Sequence, residues 1–232
     1  MKKYMHYFVP MNAGAKDVFK KTKYFLIPYL IILLACIIIK LLYTRSEIYF
    51  AVNSFYTDFL DLTEPYITYI GDGITIAIIS ALLLLVNFRA SFLLITSYAL
   101  SSLIAQVLKR GFDMPRPRLY FKDQLDKIHF VKGLYILALH SFPSGHTVTA
   151  FSAGVVATYL VKNKAWSSFF LFLALMVGYS RMYLSQHFFE DVLAGSVIGI
   201  LITFIWITYI DQKKFINSPG WNRGLLSKKH VN

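Results

Sequence analysis

Three short polar stretches interrupt the mostly apolar sequence, at residues 109–117, 141–146 and 180–191. Together they contain lysine, arginine, serine, glycine, histidine and aspartate. Arginine offers a planar fork of donors to a phosphate dianion and lysine offers a point charge. Histidine can attack phosphorus or exchange protons near neutral pH. This set of residue types predicts a site that binds a phosphate ester and transfers its phosphoryl group.

The first two stretches supply cations and a close approach of the backbone. Lys109 and Arg116 are the cations of the first stretch. Pro115 and Pro117 flank the arginine and stiffen its backbone, since each proline fixes its own φ and restricts the residue before it. Gly145, in the second stretch, lets the backbone approach a ligand closely. It precedes a predicted helix, whose free N–H groups and positive dipole end favour an anion.

The third stretch combines a cation, Arg181, with a histidine and an aspartate. His187 and Asp191 are four residues apart, so they share a face if this segment is helical. An aspartate that holds one ring nitrogen fixes the tautomer and leaves the other nitrogen free to attack. We therefore predict His187 as the nucleophile, Asp191 as the residue that orients it, and His146 as the general acid.

Each stretch also has an ordinary structural interpretation when it is taken alone. A lysine such as Lys109 at a span end is typical of an anchor at the membrane surface. Pro-Ser-Gly-His is typical of a turn before a helix, and a histidine four residues before an aspartate is typical of a polar contact. Only the combination of all three at one face favours a catalytic site.

Several other polar residues have less specific interpretations. Asp72, between two glycines, either lines the cavity or begins a helix. His140 is expected to be a polar residue satisfied by its neighbours. Arg110 and Arg118 either bind a second phosphate or a headgroup, or contact anionic lipid.

The composition indicates a membrane protein. Apolar residues make up 56% of the chain and charged residues 16%, whereas soluble domains carry about 25% charged residues. The single cysteine excludes an intramolecular disulfide and a cysteine-based metal cluster. About 20 apolar residues cross a bilayer as a helix, so the predicted fold is all-α, one six-transmembrane-helix bundle over residues 1–232. The six predicted spans are about 24–43, 69–88, 91–108, 147–161, 166–185 and 192–210.

The connections between the predicted spans place the three polar stretches at one membrane face. The loops at 87–89 and 162–165 are short, so the helices they join are antiparallel neighbours. Six alternating spans then bring all three stretches to the same side. The long connections, 44–68 and 109–146, are predicted to be loops. Within the second, 118–142 is either a lid at the interface or a plain ordered loop.

The distribution of basic residues predicts the orientation. Of the 24 lysines and arginines, 14 lie on the side of the N-terminus, most of them in the predicted tails 1–23 and 211–232. Cytoplasmic segments carry such an excess, so we expect both termini in the cytoplasm of an inner-membrane protein and the site at the periplasmic or outer face. The net charge of +12 then reflects topology, and no nucleic-acid partner is expected. The first apolar segment lacks a small-residue cleavage pattern and is expected to stay as an uncleaved anchor.

The three stretches resemble the three-part signature of the type 2 phosphatidic acid phosphatase family. Lys, six residues and Arg-Pro (109–117), Pro-Ser-Gly-His (143–146), and Ser-Arg, five residues, His, three residues and Asp (180–191) match it without a gap or substitution. The resemblance covers about 109–191 and implies a six-helix bundle with an outward-facing site that works without a metal or other cofactor. It further implies that His146 is the acid, that His187 is the nucleophile, and that phosphate is held by Lys109, Arg116, Ser144, Gly145 and Arg181.

The predicted function is hydrolysis of a phosphate mono- or diphosphate ester of a membrane lipid through a phosphohistidine. Candidate substrates are undecaprenyl diphosphate, phosphatidylglycerophosphate, phosphatidic acid and lipid A. A lipid-linked phosphotransferase would use the same site. A transporter would instead gather its polar groups at the midplane and show an inverted repeat. Vanadate-dependent haloperoxidases share the signature but are soluble. The expected partners are the lipid substrate and the bilayer, and the oligomeric state is open.

Overall fold

The computed structural model describes residues 14–227, and the regular structure within that range is helical. The α-helices are α1 (Ala15–Leu42), α2 (Arg45–Ser54), α3 (Asp58–Ile67), α4 (Gly73–Val86), α5 (Phe88–Phe112), α6 (Pro117–Tyr120), α7 (Gly145–Leu160), α8 (Trp166–Tyr183) and α9 (Phe189–Ile210). Short 3-10 turns are Thr68–Gly71, Lys122–Lys127, Phe215–Asn217 and Pro219–Asn222. The predicted all-α class is confirmed.

Helix α7 lies at the centre of the molecule and packs against α1, α5, α8 and α9. Its Val148 and Val155 are completely buried, and its Phe151 packs edge-on against Phe25 and Tyr29 of α1. Since α7 is enclosed by other helices, its first turn is held in a fixed position relative to the segments around it.

The close approach of α9 to α7 depends on two glycines. A Cβ atom on Gly195 would lie 2.7 Å from the carbonyl oxygen of Ser144, and one on Gly199 would lie 2.4 Å from that of Val148. Any side chain at either position would push the two helices apart, as at other interfaces built from small residues. The backbone of α9 therefore lies directly against the start of α7.

Three helical segments are long and apolar enough to cross a membrane: α1, the stretch of α5 and α6 (Phe88–Tyr120), and α9. A fourth candidate is the pair Asp58–Gly71 and Gly73–Val86, which is bent by 54° at its break. Helices α7 and α8 have 16 and 18 residues and do not meet the same test. The six predicted spans all coincide with helices, and by length and composition three or four of these are candidate spans.

The connection 44–68 is not the predicted loop, because it contains α2 and α3. The signal for α2 is a capping box: Thr44 Oγ1 accepts from the Glu47 N–H, and the Glu47 carboxylate accepts from the Thr44 N–H. Thr57 likewise caps α3, its hydroxyl accepting from the Leu60 N–H at 3.2 Å. Such caps satisfy N–H groups that the first helical turn leaves unpaired. Two threonines thus mark helix starts within the segment.

The predicted cytoplasmic tails are also partly structured. Residues 15–23 belong to α1 and are therefore not a tail, while residues 1–13 and 228–232 lie outside the described part of the chain. Near the other end, the N–H groups of Leu225 and Leu226 donate to the carbonyls of Leu84 and Leu85 at 3.0 and 2.9 Å. These bonds satisfy carbonyl groups that the last turn of α4 leaves unpaired.

A charged cluster is buried where α5 begins and α7 and α9 end, which is the end of the bundle away from the three polar stretches. We call Arg89, Tyr159 and Asp211 the Arg89 cluster. Asp211 accepts hydrogen bonds from the Arg89 guanidinium and from the Tyr159 hydroxyl. Lys21 Nζ donates to the same hydroxyl at 3.2 Å. The cluster joins α5, α7 and α9, Lys21 connects it to α1, and its cation and anion are directly paired.

Candidate active site

The three polar stretches meet where α5 ends and α7 and α9 begin. The first stretch contacts the second through the Ser141 N–H, which donates to the Met114 carbonyl at 2.9 Å. The second contacts the third through the Ser144 N–H, which donates to the Asp191 carbonyl at 3.0 Å. The structure thus brings together residues that are up to 82 positions apart, between 109 and 191.

Main-chain carbonyl groups hold the two cations of the first stretch. Lys109 Nζ donates to the His140 carbonyl at 2.8 Å. Arg116 donates through Nε to the Leu139 carbonyl at 2.9 Å and through its own N–H to the Ala138 carbonyl at 2.8 Å. Both cations are buried, with 8% and 5% of their surface exposed. Because a carbonyl is neutral, these bonds orient the cations without neutralising their charge.

Two residues that the sequence did not single out complete the anchoring. Arg116 Nη1 donates to the side-chain and main-chain oxygens of Gln186 at 2.9 and 3.0 Å. Arg181 Nη1 donates to Thr68 Oγ1 at 2.8 Å, and its buried Nε has no hydrogen-bond partner among the described residues. Gln186 and Thr68 lie far from their arginines along the chain, so no spacing signal identifies them.

His187 and Asp191 are adjacent, although not for the reason predicted from their spacing. His187 precedes α9, and Asp191 lies in its first turn. The Asp191 Oδ2 atom accepts from the Phe188 N–H at 2.8 Å and from the Ser141 hydroxyl, and it lies 3.5 Å from His187 Nδ1. A capping arrangement at the start of α9, rather than a shared helix face, therefore places the carboxylate beside the imidazole.

The surroundings of His187 favour its neutral form. Burial lowers its pKa well below the usual value of 6.5, and the positive charges of Arg116, Arg181 and Lys109 lower it further. Each cation makes a second positive charge nearby less favourable. A neutral imidazole has a free lone pair, which a nucleophile requires.

His146 lies in the first turn of α7, and its neighbour across the site is Asp72. The Asp72 Oδ1 atom accepts from the Ile74 N–H at 2.7 Å, which caps α4, while Oδ2 lies 3.7 Å from His146 Nε2. Asp72 therefore begins a helix, which is one of its two interpretations, and its second carboxylate oxygen lies near His146.

The remaining predicted phosphate ligands, Ser144 and Gly145, form the turn that leads into α7. Ser144 is completely buried, and its hydroxyl oxygen accepts from Thr147 Oγ1 at 2.9 Å. A Cβ atom on Gly145 would lie 3.7 Å from Lys109 Cε, at ordinary contact distance. Gly145 thus brings the start of α7 next to the lysine.

A cavity of about 260 Å³ adjoins His146 and Arg181. Apolar and aromatic side chains make up most of its wall, among them Tyr69, Leu134 and Tyr135. Residues of the loop 118–142 form part of this wall. The sequence left two interpretations of this loop open, a lid and a plain ordered loop.

The same loop is tied to α2 and α3 through His129. Asn53 Nδ2 donates to the His129 carbonyl at 2.8 Å, and the His129 N–H donates to Asn53 Oδ1 at 2.9 Å. The His129 ring lies 2.9 Å from the Asp61 carboxylate and stacks on Tyr56 with 3.9 Å between ring centroids. The loop is therefore an ordered wall of the cavity in this structure.

His140 is satisfied as expected, because its Nδ1 lies 2.9 Å from an Asp113 carboxylate oxygen on the surface. Arg110 and Arg118 are exposed, and their two interpretations both stay open. Within residues 14–227, no group of three or more histidine, cysteine, aspartate or glutamate side chains is arranged to hold a metal ion.

The chain is similar to curated lipid phosphatases. The chain is 27% identical to the lipid A 4'-phosphatase of Porphyromonas gingivalis over 53% of each chain. It is 30% identical to the undecaprenyl-diphosphatase of Sulfolobus acidocaldarius over 48% of this chain and 51% of that one. The chain thus spans about half the length of these curated relatives.

A solved structure of similar fold is the transmembrane PAP2-type phosphatidylglycerolphosphate phosphatase from Bacillus subtilis. It superposes with a TM-score of 0.56 at 26% identity, over 85% of this chain and 99% of that one. The sequence profile of the PAP2 superfamily matches residues 90–215, which is more than half of the chain and includes all three polar stretches. The resemblance inferred from the residues is confirmed, and the chain belongs to the PAP2 superfamily.

Proposed function

We propose that the protein is a metal-independent lipid phosphatase that works through a phosphohistidine on His187. The observation that carries this proposal is the environment of that residue. A buried imidazole stands beside a carboxylate, among three cations whose anchoring bonds go to neutral oxygens. Such cations are oriented but retain their charge, which is the condition for binding a phosphate dianion.

In the first step, Nε2 of His187 attacks phosphorus while the bond to the leaving oxygen breaks. Lys109, Arg116 and Arg181 bind the phosphoryl oxygens, together with N–H groups of the first turn of α7, which lack intrahelical partners. His146 gives its proton to the leaving oxygen, so the product is a neutral alcohol when the substrate is a monoester.

In the second step, water attacks the phosphohistidine. His146, now neutral, takes a proton from that water as the new P–O bond forms, and the P–N bond breaks to free His187. Inorganic phosphate leaves, and both histidines return to their starting protonation states. The Asp191 carboxylate, 3.5 Å from His187 Nδ1, accepts Nδ1–H when substrate binding brings the two atoms closer, which fixes the tautomer and directs Nε2 at phosphorus.

We further propose that six helical segments cross the membrane: α1, the bent pair of α3 and α4, α5, α7, α8 and α9. The enclosed position of α7 supports this, because a helix surrounded by protein needs less contact with lipid than an isolated span. The excess of basic residues on the side of the N-terminus supports cytoplasmic termini and an outward-facing site.

The substrate class proposed is a lipid whose tail stays in the bilayer. The mostly apolar wall of the cavity beside His146 supports a lipid leaving group, since that histidine protonates the departing oxygen. Relatives are named for lipid A, undecaprenyl diphosphate and phosphatidylglycerolphosphate, and phosphatidic acid is a fourth candidate.

The test measures inorganic phosphate released by the protein in detergent with EDTA from each of the four lipids. Wild type should release phosphate from at least one of them, and His187→Ala should not. Asp113→Asn, a change to a surface carboxylate beside His140, serves as the matched control and should stay active. Absence of release from every lipid, or full activity of His187→Ala, would contradict the proposal. A labelled phosphohistidine that forms without phosphate release would point instead to a phosphotransferase.

A further inference from the structure

We propose that Asp72 is a positioning residue for His146: its carboxylate orients the imidazole and stabilises the charged form that protonates the leaving oxygen. This inference rests on the proposed phosphatase reaction, and it assigns to the second histidine a carboxylate partner of its own. The three polar stretches do not include Asp72, which lies 37 residues before the first of them, at 109.

The two oxygens of the Asp72 carboxylate have different neighbours. Oδ1 accepts from the Ile74 N–H at 2.7 Å, which fixes the carboxylate at the start of α4. Oδ2 lies 3.7 Å from His146 Nε2. That distance suits an ion pair and is too long for a hydrogen bond. Catalytic hydrogen bonds are often long without substrate and shorten when it binds. Since the helix cap already holds the carboxylate, the bond forms when His146 Nε2 moves closer to it.

The turn that carries Asp72 is packed tightly against α7. A Cβ atom on Gly71 would lie 2.6 Å from the His146 carbonyl oxygen. Since that oxygen belongs to the backbone, it cannot move aside as a flexible side chain could. The absence of a side chain at position 71 therefore lets the turn approach the residue that Asp72 faces.

The Asp72 carboxylate acts on the charge of the His146 imidazole. The groups that act on the His146 ring from the surrounding segments are Arg181 of α8, Lys109 of α5, Arg116 from the segment before α6, and Asp72. His187 also lies close enough to interact with His146. Burial and the three cations oppose a positive charge on the imidazole, while the carboxylate favours it. Asp72 and the bound phosphate together make the protonated ring available for the first step.

The assignment also distinguishes the two ring nitrogens. If Nε2–H donates to Asp72, Nδ1 is the nitrogen that gives its proton to the leaving oxygen and later takes one from water. His187 has the opposite arrangement, with Nδ1 beside Asp191 and Nε2 left to attack. Each histidine then has one nitrogen for a carboxylate and one for the reaction.

The test compares Asp72→Asn with wild type on a lipid phosphate and on p-nitrophenyl phosphate. Asparagine caps helices about as well as aspartate, so the variant removes the charge and keeps the cap. Its kcat on the lipid phosphate should fall about tenfold or more, since general-acid catalysis contributes about 10²–10⁴-fold. The kcat on p-nitrophenyl phosphate should fall much less, because p-nitrophenolate leaves without a proton. In the plot of kcat against pH for the lipid phosphate, the alkaline limb should move to lower pH, because the His146 imidazolium loses its proton more easily.

Asp113→Asn is the matched control, because it removes an exposed carboxylate that faces another exposed histidine side chain, that of His140. This control should change neither kcat nor its dependence on pH. Thermal unfolding in detergent checks that both variants fold. If Asp72→Asn lowers kcat equally on both substrates, or on neither, the proposed role of Asp72 is wrong. The phosphatase proposal would still be supported by phosphate release from wild type and its loss in His187→Ala. Lack of phosphate release by wild type from both substrates would overturn both proposals.

Discussion

The two ends of the bundle each bury arginine and aspartate, but they pair them differently. In the Arg89 cluster, the guanidinium donates directly to the carboxylate of Asp211. At the site, Arg116 and Arg181 donate to neutral oxygens, and the Asp191 carboxylate accepts from a hydroxyl and an N–H. A buried pair whose charges satisfy each other joins helices. Cations with neutral anchors keep their charge for an anion that comes from outside.

The comparison predicts that loss of a site cation mainly affects catalysis. Arg116→Gln should lower kcat/KM by about 10²–10³-fold, because a positioned donor to the reacting phosphoryl group is removed. The thermal unfolding temperature should fall less than in Asp211→Asn, since the guanidinium is not directly paired with a buried anion. Arg118→Gln, at an exposed arginine two residues further on, is the control and should lower kcat/KM only slightly. If Arg116→Gln instead unfolds much more easily and its folded fraction keeps the kcat/KM of wild type, the proposed difference between the two ends of the bundle is wrong.

The opposite result is expected for the Arg89 cluster. Asp211→Asn should lower the free energy of unfolding by about 3 to 5 kcal/mol, because it leaves Arg89 buried without its anion. The kcat/KM of the protein that remains folded should stay near that of wild type. Unfolding in detergent and phosphate release, measured on the same preparation, give both quantities. A variant as stable as wild type would show that this ion pair does not hold the helices together.

A smaller effect is expected where one hydrogen bond to a charged site residue is removed. Ser141→Ala deletes the hydroxyl that donates to Asp191. Hydrogen bonds to charged groups contribute about 1.5–3 kcal/mol, so kcat should fall about tenfold or more while KM stays close to that of wild type. Ser54→Ala, which deletes an exposed hydroxyl bonded only to its own helix, is the control. Unchanged kcat in Ser141→Ala would mean that Asp191 does not need this donor to orient His187.

The effect of pH sharpens the comparison further. Burial and the neighbouring cations lower the pKa of His187 below 6.5, so its ring should stay neutral as the pH falls through that value. Protonation should occur only at lower pH, where activity is then lost. In Arg116→Gln, the removal of one cation should raise the pKa of His187 towards the usual value. NMR of protein labelled with ¹⁵N in its histidines would follow this titration directly, and an unshifted pKa in wild type would contradict it.

The sequence predicts the helices of this chain better than it predicts their ends. Apolar runs near 20 residues coincide with helices because burial in the bundle or the bilayer needs such runs. The connection 44–68 was predicted wrongly as a loop, because α2 and α3 have only ten residues each and neither is an apolar run of span length by itself. Thr44 with Glu47 was the available sign of the first of them. The structured part of the tail 211–232 could not be read, because it depends on long-range bonds to the end of α4.

For the site, residue types and spacing identified the groups that meet, but not what holds them. Lys109, Arg116 and Arg181 have the chemistry of phosphate ligands in any conformation. Their anchors are carbonyls, an amide and a threonine hydroxyl, and carbonyl groups are present at every position of a chain. Asp72 was ambiguous for the same reason, since an aspartate between glycines caps a helix whether or not a histidine lies opposite.

The carbonyl groups that hold Lys109 and Arg116 belong to Ala138, Leu139 and His140, whose side chains are exposed. A bond to the main chain survives exchange of the side chain, provided that the new residue accepts the same backbone conformation. Substitutions at positions 138–140 should therefore leave the two cations in place, except that His140 has φ +58°, which favours asparagine, aspartate or glycine there. Exchange of these side chains would change the outer surface of the loop while the bonds that hold Lys109 and Arg116 stay the same.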